Sequence, residues 1–91
     1  MTDTQVRETV LAALARIAPE IDPKTIRGDQ PLRDEVDLDS IDFLNFILEM
    51  HARIGVDVPE RDYPGLATLD GCVSYFASHA AAAASASPGA R

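Results

Sequence analysis

The sequence predicts an all-α protein, a small four-helix bundle of three long helices and one short one, with a long loop between the first and second helices. Three observations carry that expectation. Three segments repeat apolar residues at intervals of three and four, the period of a helix face. The breakers Pro19, Gly55, Pro64 and Gly65 fall between those segments rather than inside them. No stretch alternates apolar and polar residues long enough for a strand, and "GVDVP" is too short to compete.

Helix one is expected over about residues 3 to 18, where Val6, Val10, Leu14 and Ile17 recur on one face with Leu11 and Ala18 beside them. Thr2 and Gln5 have capping-box spacing, and Pro19 closes the segment because it cannot donate the next helical hydrogen bond. From Pro19 to Asp39 the pattern dissolves into Pro, Gly and charge. Ile21, Ile26, Leu32, Val36 and Leu38 are spaced as pins fastening a long loop to a core, and loops of this length in small domains are often functional.

The second long helix is expected over about residues 40 to 54. Ile41, Leu44, Leu48 and His51 form one stripe; Phe43, Ile47, Met50 and Ile54 form the next. So wide an apolar arc predicts a central helix that touches more than one neighbour. Gly55 fits the left-handed position that ends a helix. "VDVPERDYPG" leaves room for a short helical turn only. Thr68 then caps a last helix carrying Leu69, Cys72, Val73, Phe76 and Ala80 at helical spacing, with Ala80 to Ala84 extending it by propensity. Residues 1–80 read as one helical domain and 81–91 as an Ala/Ser-rich, frayed or disordered tail.

The charge is concentrated. Of a formal net charge of −7, the whole excess lies between Asp29 and Asp62, which hold ten acids and three bases. Such a field repels phosphate backbones, which argues against nucleic-acid binding, and attracts basic protein surfaces. The single cysteine, Cys72, excludes an internal disulfide. "MTDTQVRETV" lacks the basic and apolar regions of a secretory signal, and no apolar run approaches the length that spans a bilayer. A soluble, cytoplasmic monomer that does not engage membranes is expected.

The stretch "VDLDSIDFLNFILEM" turns from acid to apolar around Ser40. Asp39 is the expected N-cap, accepting from the amide of Ile41 or Asp42 and complementing the helix dipole. Ser40 then becomes the first helical residue, with its hydroxyl free to leave the surface. The first-turn amides would favour a phosphate there, while the neighbouring carboxylates would oppose it.

With its helix pattern and acidic balance, "LDSIDFLNFILEMHARIGVDVP" resembles the acyl carrier protein family, whose motif is Asp-Ser-Leu at the start of the second helix, here with Ile41 in the third place. The resemblance spans about residues 3 to 80. It implies that Ser40 bears a 4′-phosphopantetheine arm derived from coenzyme A, installed by a phosphopantetheinyl transferase and loaded with acyl groups as thioesters. It implies that Asp39, Ile41, Asp42, Leu48 and Glu49 face partners: an acyl-loading ligase or transferase and later acyl-processing enzymes with basic docking surfaces. Catalysis would belong to those enzymes. Asn45 stands where fatty-acid carriers usually have Glu, and His51 and Ala52 stand where further acids are frequent. That departure points to a specialised fatty-acid or polyketide-like pathway. An aminoacyl or peptidyl carrier and an unmodified acidic helical adaptor remain alternatives.

Other constellations fare poorly. Cys72 lies on an apolar helix face and reads as a small buried hydrophobe. His51 and His79 have no ligand spacing with it, so no metal site is expected, and His51 reads as a residue at the core's edge. A calcium loop begun at Asp37 fails at Ile41, Asp42 and Leu48. Ser40 has neither a locally placed histidine nor a Gly-x-Ser-x-Gly turn, which makes a hydrolase a poor reading. Phe43 and Phe46 at helical spacing read as core residues; one of them, if it lined an acyl site, would restrict the length or shape of the chain, and spacing does not say which.

Overall fold

The computed structural model describes residues 2–36 and 38–89, with residues 81–89 described by backbone alone. Helix α1 (Asp3–Ile17) begins with the capping box expected of Thr2 and Gln5, and Ala18 ends it by donating to the Leu14 carbonyl. Helix α3 (Ser40–Ile54) ends at Gly55, whose φ of 71° is the left-handed conformation that only glycine enters without steric cost. Helix α4 (Leu69–Gly89) starts where Thr68 Oγ1 accepts from the Gly71 amide at 3.0 Å. The expectation for the tail at 81–91 falls on residues whose side chains, and for Ala90 and Arg91 the backbone too, lie outside the described residues.

The loop before α3 is more ordered than its composition predicts. It contains a 3-10 turn at Pro23–Thr25, capped by Asp22, and a single helical turn, α2 (Leu32–Glu35). Both are too short for periodicity to announce. The pins hold as expected: Ile26, Leu32, Val36 and Leu38 are buried and Ile21 is half-buried. Backbone hydrogen bonds fasten this loop to the entrance of α4, from Leu32 N–H to the Ala67 carbonyl (2.8 Å) and from Asp70 N–H to the Gly28 carbonyl (3.0 Å).

A second 3-10 segment, Glu60–Leu66, supplies the expected short helical piece and packs on α4. Gly71 is required there by space, since a side chain would strike the Gly65 carbonyl oxygen. The core is built from Val6, Val10, Ala13 and Leu14 of α1, Phe46, Ile47 and Met50 of α3, and Leu69, Cys72, Phe76 and Ala80 of α4, with Leu66 from the 3-10 segment. Helix α1 packs against both α3 and α4. Among the described residues no helix is long and apolar enough to cross a membrane.

The two stripes of α3 part company. Phe43, Phe46, Ile47, Met50 and Ile54 turn inward, whereas Ile41, Leu44 and Leu48 stand 71%, 48% and 58% exposed. The arc meets more than one neighbour, as expected, with α1 packed along it, Tyr63 against Phe43 and Phe76 against Phe46, but its outer part is left uncovered. His51 is likewise outside rather than at the core's edge, its Nδ1 lying 2.7 Å from the Asp57 carboxylate just past the helix end.

Candidate functional site

The acidic-to-apolar junction forms the start of α3. Asp39 is in extended conformation, its Oδ1 accepts from the Asp42 amide at 2.8 Å, and its carbonyl accepts from the Phe43 amide at 2.9 Å. The helix start is therefore satisfied by Asp39 and not by its neighbour. Ser40 is exposed as the first residue of α3, and its hydroxyl enters no hydrogen bond among the described residues.

Beside Ser40 opens an apolar cleft of about 450 Å³. The loop side contributes Leu32 and Leu38, α3 contributes Ser40, Phe43 and Leu44, and the 3-10 segment contributes Tyr63 and Leu66. The long loop and the segment Glu60–Leu66 thus both wall the cleft, and both are tied to α4 or its entrance. Phe43 lines the cleft; Phe46 does not, being fully enclosed in the core. Helical spacing alone cannot separate two aromatic residues three positions apart. What separates them is Tyr63, which meets Phe43 from outside the helix.

Of the expected partner-facing residues, Asp39, Ile41 and Leu48 are exposed and Asp42 is half-buried in the first turn. Leu44 joins Ile41 and Leu48 on the exposed stripe, a residue that sequence reasoning placed on the stripe without assigning it to a surface. Glu49 differs. Its side chain is 21% exposed and is held by Arg53 Nε at 2.8 Å and by Arg16 Nε of α1 at 3.2 Å, so much of its charge is already compensated. No sequence signal links Glu49 to Arg16, because the two are neighbours only through helix packing.

Cys72, expected to be structural, and Tyr75 have clear environments. Cys72 is fully buried, its Sγ–H donates to the Leu66 carbonyl at 3.3 Å, and burial pushes its thiol up to about 12, so it stays un-ionised and unreactive. Burial and then the hydrogen bond to Asp62 push the Tyr75 phenol up to about 12 as well. No group of three or more His, Cys, Asp or Glu among the described residues is arranged to hold a metal ion.

A helical domain with a free serine hydroxyl at a helix start, an apolar cleft beside it and an uncovered apolar stripe along the same helix defines a class: small domains that carry a group covalently and show it to other proteins. Residues 8–76 match the phosphopantetheine attachment site family. The chain is 32% identical to the acyl carrier protein of Renibacterium salmoninarum over 74 residues, 78% of this chain and 91% of that one. It is 32% identical to the acyl carrier protein of Rhodococcus erythropolis over 84% of this chain and 85% of that one. The meromycolate extension acyl carrier protein of Mycolicibacterium smegmatis is 29% identical over 77% of this chain and 74% of its own length. The chain belongs to the acyl carrier protein family. Its function is to carry acyl intermediates as thioesters on a covalently attached 4′-phosphopantetheine group, and that role engages a phosphopantetheinyl transferase and acyl-processing enzymes.

Proposed function

We propose that Ser40 bears the 4′-phosphopantetheine arm and that the carrier serves a specialised acyl pathway of the fatty-acid or polyketide-like kind. The observation that carries this reading is the separation of tasks at the helix start: Asp39 caps α3 while the Ser40 hydroxyl is exposed and unengaged at the mouth of an apolar cleft. In the transferase's reaction the Ser40 oxygen bonds to the phosphorus nearest the pantetheine, the P–O bond to the nucleotide breaks, the nucleotide leaves as its phosphate, and the serine proton passes to the enzyme. Once attached, the arm supplies a terminal thiol, an ordinary thiol of pKa about 8.5 that enzymes can load.

The chain's own residues then hold and present. Amides of the first turn of α3 point toward a phosphate on Ser40, and the half-charge of the helix N-terminus favours it. Leu32, Leu38, Phe43 and Leu66 offer apolar wall to a chain beginning at Ser40. Ile41, Leu44 and Leu48 supply apolar contact to a partner, and Asp39 and Asp42 supply charge that steers basic docking surfaces. Glu49 contributes less to that field and more to joining α3 with α1. The domain itself performs no catalysis, spans residues 1–80, and acts in the cytoplasm as a monomer. The similarity to meromycolate extension carriers supports a specialised pathway. The names of the relatives favour acyl over aminoacyl cargo, and membership of a phosphopantetheine family disfavours an unmodified adaptor.

The test is the intact mass before and after incubation with a promiscuous phosphopantetheinyl transferase and coenzyme A. A gain of one phosphopantetheine group in the wild type, absent in Ser40→Ala at unchanged helicity, is expected. A folded wild type that gains nothing, or a Ser40→Ala variant that still gains mass, would overturn the assignment.

A further inference from the structure

The cleft beside Ser40 is walled in part by the core residues Leu32, Leu38 and Leu66, and two aromatic rings line it with them. Phe43, three residues after Ser40 on α3, meets Tyr63 of the 3-10 segment edge-on, with ring centroids 5.2 Å apart and planes at 77°. Both rings line the cleft and both are only partly buried. Behind Phe43 lies Phe46 at 6.2 Å, and behind Phe46 lies Phe76 at 6.2 Å, both fully buried and neither reaching the cleft. A continuous row of rings thus leads from the cleft wall into the core.

Tyr63 is held from both sides. Its neighbour Asp62 accepts from the Tyr75 hydroxyl at 2.8 Å, and the Leu66 carbonyl accepts from Cys72 at 3.3 Å, so α4 grips the segment before and after the ring. Phe43 is fixed by its helix.

We propose that Phe43 and Tyr63 form a stop that sets how much of an acyl chain the carrier shelters. This rests on the reading of Ser40 as the attachment point and deepens it. An apolar chain tethered at Ser40 gains from burial in proportion to the area it covers, until it meets the two rings. Further entry requires parting an edge-to-face pair, shifting a segment hydrogen-bonded to α4 and opening a close-packed core. The free end of the chain enters first and is enclosed as far as the rings, and whatever length the cleft does not hold stays outside next to the thioester, where a partner enzyme finds it. If the pair served packing alone, shortening either ring would not change how far a long chain reaches toward Phe46 and Phe76.

The experiment uses the full chain carrying butanoyl, octanoyl or dodecanoyl pantetheine, installed by the transferase and read by backbone amide chemical shifts. In the wild type, the amides of Phe43, Tyr63 and Leu66 are expected to move between butanoyl and octanoyl, while those of Phe46 and Phe76 stay unchanged even with dodecanoyl. In Phe43→Ala the dodecanoyl form should shift Phe46 and Phe76; Tyr63→Ser, which spares the helix, should do the same if Phe43→Ala folds poorly. The stop is overturned if dodecanoyl shifts Phe46 and Phe76 in the wild type, or if both shortened variants keep the wild-type pattern. Cleft amides that respond to no chain in the wild type overturn it too, while leaving the attachment at Ser40 intact. A failure to install the arm overturns both readings and is seen first as a missing mass gain.

Discussion

Helices α1 and α3 are each 15 residues long, each start on a side-chain cap, and pack against one another, yet they use their apolar residues differently. In α1 every large aliphatic residue is buried or half-buried, and the outward face is Asp3, Thr4, Gln5, Arg7, Glu8, Ala12 and Arg16. In α3 three large aliphatic residues face water. Burying a Leu or Ile side chain is worth about 1.5–3 kcal/mol, so the fold forgoes that gain three times along one stripe. Helical periodicity identifies an apolar face but not what covers it. A stripe the domain leaves open is available to another protein.

The largest expected effect tests the two faces of α3 against each other. Phe46→Ala should cost about 3–5 kcal/mol by denaturant unfolding, because it empties a fully enclosed site. Leu48→Ala, two residues on, should stay within about 0.5 kcal/mol of wild type. Comparable losses would erase the distinction between the faces. The same residue type can also be compared across helices: Leu14→Ala in α1 should cost about 2–5 kcal/mol, and Leu44→Ala in α3 should cost little, since Leu44 is about half exposed.

Smaller effects sharpen the contrast at the helix starts. Asp39→Ala should lower stability by about 0.5–2 kcal/mol, as loss of an N-cap does, whereas Ser40→Ala should leave the unfolding midpoint nearly unchanged. A larger loss for Ser40→Ala would mean that its hydroxyl supports the helix after all. The smallest effect concerns the joint between the two helices. A double-mutant cycle on Arg16 and Glu49 should give a coupling of about 0.2–1 kcal/mol that shrinks as salt is added. A coupling insensitive to salt would show that the pair is more than a partly exposed ion pair.

Much of this was legible in the residues. Thr2 with Gln5, Asp39, Gly55 and Thr68 mark helix ends by local chemistry, and local chemistry is what a sequence displays. Ser40 was singled out the same way, because a cap beside it frees it. The turn at Pro23–Thr25 and the single turn α2 were hidden, since three or four residues hold no period. The pairing of Glu49 with Arg16 and the division of labour between Phe43 and Phe46 were hidden for another reason: each is decided by a residue far along the chain, Arg16 in one case and Tyr63 in the other.

If Ser40 bears the arm, capping by Asp39 means that the fold does not lean on the modified atom, and the covalent state can change without a change in the folding stability of the protein. Its abundance is then governed by synthesis and turnover, and its competence by the supply of coenzyme and transferase, as two independently adjustable quantities. A cell holding such a protein can keep a reserve of folded, unarmed carrier and convert it on demand, with no refolding in between.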